Sequence, residues 1–138
     1  MRLIRTISLF LFSALILCPL QAQVWRSHLA YNNVTRIAMS PDAVYALSDG
    51  SLFSVDKQTE QMRTYDRQSG LHGTDITCIG YDEEGGQLII GYGSGKIDVL
   101  TASGARYISA LYDKDMTQRK TIHNITIVGS TAYLATDY

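Results

Sequence analysis

Beyond its first two dozen residues, the chain places its apolar residues in short runs broken by Gly, Pro, Asp, Asn and Ser. Nowhere in that stretch do they recur at helical spacing, so the pattern predicts strands and turns. The fullest unit is Gly70 to Leu100, GLHGTDITCIGYDEEGGQLIIGYGSGKIDVL. A turn leads into an apolar strand (Ile76 to Tyr81), the polar loop Asp82 to Gly86 leads to a second (Leu88 to Tyr92), and a glycine-rich turn leads to a third (Ile97 to Leu100).

The unit repeats. Asn33-Val34-Thr35-Arg36-Ile37-Ala38, Asp75-Ile76-Thr77-Cys78-Ile79-Gly80 and Asn124-Ile125-Thr126-Ile127-Val128-Gly129 share an Asn/Asp, apolar, Thr pattern, and Leu29 and Leu71 precede the first two copies at equal distance. Second strands follow at Val44, Leu88 and Ala132, a period of about 44 residues. A period of that length built from short strands marks a propeller blade, a four-stranded antiparallel sheet that buries its faces only against neighbouring blades. In the first copy the expected strands are Val34 to Met39, Val44 to Ser48, Leu52 to Asp56 and Met62 to Tyr65. Ser40-Pro41-Asp42, Asp49-Gly50 and Lys57-Gln58-Thr59 join them with turn chemistry.

The third copy shows strands near Ile122 to Val128 and Ala132 to Thr136 before the sequence reaches Tyr138. The expected fold is therefore all-β: the N-terminal piece of a propeller, two blades and half of a third, with blades near residues 29–69, 70–118 and 119–138. Closed propellers have at least about four blades. Residues 24–138 alone are accordingly expected to expose an apolar face and to aggregate or fold only partly.

The first residues follow another logic. Arg2 and Arg5 precede an uncharged run, Ile7 to Leu17, followed by Pro19 and Gln21-Ala22-Gln23, which reads as a secretory signal over residues 1–23. The run is shorter than the roughly 20 residues that cross a hydrocarbon core. Leu15-Ile16-Leu17 ahead of Cys18 supplies a bulky residue where lipid attachment wants a small one. With the signal removed, Cys78 is the single cysteine, so no internal disulfide forms and the thiol reads as a small buried hydrophobe. With 12 basic against 13 acidic residues the chain carries no charge excess that would attract nucleic acid.

Candidate chemistry is sparse. Gly91-Tyr92-Gly93-Ser94-Gly95-Lys96 superficially suggests a phosphate loop, but Ile90 stands where the early glycine belongs and Ile97 follows the lysine, so it reads as a hairpin turn. Asp82-Glu83-Glu84 lacks the alternating acidic spacing of a calcium loop and reads as a solvated turn. His28, His72 and His123 have no metal-ligand spacing, although His72 and His123 both precede the first strand of a blade and would face one end of a propeller. Asn33 and Asn124 begin glycosylation sequons that recur as repeat positions. The stretch from Leu111 to Thr121, with Asp113, Lys114, Asp115, Arg119 and Lys120, reads as a solvated connection, and Trp25 as a packing residue before the first strand. No catalytic, cofactor-binding or metal-binding residue is assigned, and the ligand-binding residues are left unassigned.

Gln21-Ala22-Gln23, the segment Val24-Trp25-Arg26-Ser27-His28-Leu29-Ala30-Tyr31-Asn32-Asn33, Gly70-Leu71 and Lys120-Thr121-Ile122-His123-Asn124-Ile125 resemble the N-terminal propeller of PorZ-type proteins of the type IX secretion system in Bacteroidota. The resemblance implies a non-enzymatic, exported protein of the periplasm or outer cell surface, without cofactors. Its implied partners are other secretion-system or cell-surface proteins and lipopolysaccharide, and its implied role is delivery of anionic lipopolysaccharide to the sortase that anchors cargo. It carries no site residue onto this chain. A ligand-sensing propeller of a hybrid two-component system is the alternative, and a propeller enzyme a third; the latter needs acidic or histidine side chains converging at one mouth of the ring.

Overall fold

In a computed structural model, the described residues are 31–137. The expected signal, Cys18, Trp25, His28 and Leu29 lie outside the described residues. Every regular element among those described is a strand: β1 (Val34–Met39), β2 (Ala43–Ser48), β3 (Ser51–Asp56), β4 (Met62–Tyr65), β5 (Ile76–Asp82), β6 (Gln87–Tyr92), β7 (Ile97–Thr101), β8 (Gly104–Ile108), β9 (Ile122–Val128) and β10 (Thr131–Thr136). They form three up-and-down antiparallel sheets, β1-β2-β3-β4, β5-β6-β7-β8 and β9-β10. The turns follow from their residues. Asp49 and Gly50 both have positive φ, 47° and 77°, the backbone of a two-residue hairpin turn whose twist matches its strands. Asp56 caps the next turn by accepting hydrogen bonds from the amides of Gln58 (2.9 Å) and Thr59 (2.7 Å).

One irregularity recurs in every sheet. In β1 the pairing jumps from Val34↔Ser48 to Arg36↔Leu47, in β5 from Ile76↔Tyr92 to Cys78↔Gly91, and in β9 from Ile122↔Thr136 to Asn124↔Ala135. Each is a bulge with one extra residue: Thr35, Thr77 or His123. The bulge changes the apolar spacing from two to three and then back to two, giving Val34/Ile37/Met39, Ile76/Ile79/Tyr81 and Ile122/Ile125/Ile127 on equivalent faces. The third repeat therefore begins at Thr121-Ile122, three residues before the Asn124-Ile125-Thr126 match expected from the sequence. An Asn-Ile-Thr string also fits inside a strand of alternating residues, and only pairing register separates the two readings.

These apolar triplets pack each sheet on the one before it. Ile76, Ile79 and Tyr81 join Ala38, Leu47 and Leu52 in one core, together with Leu88, Ile90 and Tyr92. Ile122, Ile125 and Ile127 join Cys78, Ile89 and Ile97 in a second. The second sheet is thus covered on both faces, which is why Leu88 to Tyr92 is apolar without alternation. Glycine lets the third sheet approach: a β-carbon on Gly80 would lie 2.8 Å from Ile125 Cγ2, and one on Gly91 would lie 2.9 Å from Ile122 Cγ2. The corresponding triplet of the first sheet, Val34, Ile37 and Met39, is 45%, 63% and 63% exposed.

Candidate functional site

The loops entering β5 and β9, with the β6–β7 turn, form one end of the stack. There the glycine-rich turn is already saturated. The Ser94 amide donates to the Asp75 carboxylate (2.7 Å), the Gly93 amide to the Asp75 carbonyl (2.9 Å) and the Gly95 amide to the Tyr92 carbonyl (3.1 Å). Amides committed in this way do not cradle a phosphate, and strand β7 follows the turn, as the hairpin reading requires. Asn33 does the matching work in the first sheet, donating its amide to Ser48 Oγ (3.2 Å) and its side chain to Asp49 (2.9 Å). The Asn/Asp of the repeat is therefore a latch on the neighbouring turn, and the threonine satisfies the bulge. Thr35 Oγ1 donates to the Leu47 carbonyl (3.3 Å), while Thr77 Oγ1 donates to the Ile122 carbonyl and lies 3.1 Å from the Gly91 carbonyl, tying the second sheet to the third.

Behind this turn lies a buried carboxylate. Asp98, fully buried, accepts from the His72 amide (2.8 Å), His72 Nδ1 (2.8 Å) and the Tyr92 hydroxyl (2.6 Å). Three donors satisfy it, as a charge taken from water requires. Burial first, and then the Asp98 carboxylate, push the Tyr92 phenol well above its ordinary range. His72 stacks on Tyr107 with centroids 5.0 Å apart. Register puts Ser48 and Phe53 of the first sheet at the places of Tyr92 and Asp98, and Tyr31 packs edge-on against Phe53 at 4.7 Å. The same loop is thus pinned by an apolar pair in one sheet and by a polar network in the next.

The other expected positions are dispersed. His123 pairs instead with Asp137 at 2.6 Å, and this hydrogen bond holds the Asp137 carboxyl below its usual range. Among the described residues no group of three or more His, Cys, Asp or Glu is placed to hold a metal ion. Asp82 differs from the solvated-turn expectation: its side chain turns inward, 5% exposed, accepting from the Gly85 amide (3.0 Å) and Gln87 Nε2 (2.8 Å), which lower its pKa. Glu83 and Glu84 remain exposed. In the connection before β9, the ammonium groups of Lys96 and Lys120 sit 5.1 and 5.8 Å from the Tyr112 ring centroid. Cys78 is fully buried, and burial raises its thiol pKa.

At the opposite end, where β1 turns into β2 and β5 into β6, a cleft of about 520 Å³ opens between the first and second sheets. Tyr45, Tyr65 and Tyr81 line it, with Arg63 and Asp42 at its edge. Tyr45 and Tyr81 are nearly parallel, 6.2 Å apart at 18°, and Tyr45 and Tyr65 are 6.1 Å apart. Tyr65 Oη is 3.1 Å from Ser54 Oγ. Burial and the neighbouring phenols raise the Tyr45 pKa, against a lowering pull from Arg63. A second cleft of about 400 Å³ shares Tyr45, Arg63 and Tyr65 and continues to Thr59 and Gln61. Sequence reasoning did not single out these tyrosines, because they come from β2, β4 and β5 with no common spacing.

Four-stranded meanders repeated with the same bulge and stacked face on face define the chain as part of a β-propeller. The family model described as TSS9, PorZ, N-terminal beta-propeller domain matches residues 44–138. The chain belongs to this PorZ N-terminal propeller family. Among solved structures it is similar to PorZ, an essential surface component of the type IX secretion system of Porphyromonas gingivalis, with 37% identity over 78% of this chain and a TM-score of 0.72. The match spans 15% of that PorZ chain. The extracellular domain of a putative hybrid two-component system from B. thetaiotaomicron shares the fold, with a TM-score of 0.61, 14% identity, 75% of this chain covered and 14% of that chain. No curated protein matches the chain.

Proposed function

We propose that the chain belongs to a type IX secretion component that is exported to the periplasm or outer cell surface and acts by binding, not catalysis. In this reading the protein brings anionic lipopolysaccharide to the surface sortase and so supports cargo anchoring, with other secretion-system proteins as its partners. The observation that supports it is the 37% identity to PorZ across 78% of this chain, joined to the family match over residues 44–138. The geometry is compatible with a scaffold: the conspicuous polar groups, Asp75, Asp82 and Asp98, are spent on holding turns and loops.

The test is disruption of the gene in its own bacterium, followed by separation of cells from medium. Cargo should leave the surface and accumulate in the medium without its lipopolysaccharide anchor, and the intact gene should restore anchoring. Cargo that stays anchored at the parental level would end the secretion reading. Retention of anionic lipopolysaccharide by the purified full-length protein, against no retention, tests the delivery step separately.

A further inference from the structure

We propose that the cleft between the first and second sheets binds a neutral oligosaccharide. It is an open groove of mixed polar and apolar lining, unlike the apolar slot that receives a hydrophobic ligand. Its walls offer what a sugar uses: the half-buried rings of Tyr45, Tyr65 and Tyr81 to pack against ring C–H groups, and hydroxyl, guanidinium and carboxylate groups to hydrogen-bond the ring hydroxyls.

Two features extend the argument. The 520 Å³ cleft and its 400 Å³ neighbour share Tyr45, Arg63 and Tyr65, so the surface is a track suited to a chain of sugars, with Thr59 and Gln61 farther along. The phenols are also pre-ordered. Tyr65 is held on Ser54 Oγ at 3.1 Å, and the Tyr45 ring packs between those of Tyr65 and Tyr81, 6.1 and 6.2 Å away, so little side-chain freedom is lost on binding.

Charge selects the class of sugar. Among the described residues Arg63 is the cation that lines the two clefts, and the Lys57 ammonium is bound to the carbonyl of Ser40 in the cleft wall; the carboxylates of Asp42 and Asp56 match them in number. A polyanionic chain would meet no net positive field there, whereas a neutral chain can hydrogen-bond to either sign. The assignment is separate from delivery of an anionic lipid and stands or falls apart from it.

The test titrates the full-length protein with maltohexaose, cellohexaose, mannohexaose, chitohexaose and, as the charged control, hexagalacturonate, by calorimetry. A neutral hexaose should bind, and hexagalacturonate should bind more weakly. Arg63→Ala, on the exposed face of edge strand β4, should weaken binding about tenfold with an unchanged circular dichroism spectrum. Tyr45→Phe, which removes one hydroxyl from the cleft wall, should weaken it several-fold. No binding of any neutral hexaose, tighter binding of hexagalacturonate, or full affinity in Arg63→Ala would overturn the proposal.

Discussion

Gly91 is the position at which stacking of the second and third sheets can be measured through a single methyl group. A β-carbon there would lie 2.7 Å from Cys78 Sγ, 2.9 Å from Ile122 Cγ2 and 3.1 Å from Ile122 Cβ. Both neighbours are fully buried, and Gly91 is not among the positive-φ glycines, so its backbone accepts alanine without strain. In an open strand site, Gly→Ala would stabilise by roughly 0.5–1 kcal/mol through the unfolded chain. Here overpacking, at about 1–3 kcal/mol, opposes that gain and exceeds it. The expected net effect of Gly91→Ala is a loss of about 1–2 kcal/mol. Hydrogen exchange read by mass spectrometry on peptides covering β6 and β9 reports it locally, as amide exchange about 5–30-fold faster in both strands. Adding Cys78→Ala removes the closest clashing atom, so the double variant should lose less than the two single losses combined. Slower exchange in Gly91→Ala, the result of the propensity gain alone, would show that Ile122 does not pack against Gly91.

Thr77→Val removes the hydroxyl that serves the Ile122 and Gly91 carbonyls and should cost about 1–2 kcal/mol, while Thr77→Ser should retain most of the stability; urea unfolding of the pair decides this. Tyr92 has its folded pKa raised above its ordinary value of about 10, so the stability it contributes is complete below that pH and is lost as the pH rises through and beyond it. Unfolding midpoints measured from about pH 8 to 11 should therefore fall more steeply in the parent than in Tyr92→Phe, and parallel profiles would count against the buried phenol. The Cys78 thiol, buried and with a raised pKa, should not react with a thiol reagent until the protein is denatured; prompt native labelling would place it at the surface.

Much of the fold was legible because strand ends carry turn chemistry. The sequence reading starts β1 at Val34 and β4 at Met62, where the structure does, and the other first-sheet strands differ by a residue at one end. Strand β8 (Gly104–Ile108) escaped specific assignment because Gly-Ala-Arg-Tyr-Ile has too little apolar alternation to announce itself; pairing with β7 defines it. The third repeat was misaligned by three residues because its bulge residue is His123 and not threonine, and the apolar triplet at Ile122, Ile125 and Ile127 is recognisable only once the bulge is known. The buried side chain of Asp82 was hidden by the two solvated glutamates beside it. The tyrosine cleft could not be read from local sequence at all, since its walls come from two sheets and from strands far apart in the chain.

The central claim is that the chain builds consecutive blades of one propeller, with the triplet Val34, Ile37 and Met39 playing in the first blade the part that Ile76, Ile79 and Tyr81 play in the second. A crystal structure of the exported full-length protein tests it most directly. The account predicts Ile122 seated on Gly91, the same bulge at Thr35, Thr77 and His123, and Val34, Ile37 and Met39 covered by another four-stranded sheet of the same ring. Those three side chains facing solvent in the full-length protein, or the second and third sheets separated, would contradict it.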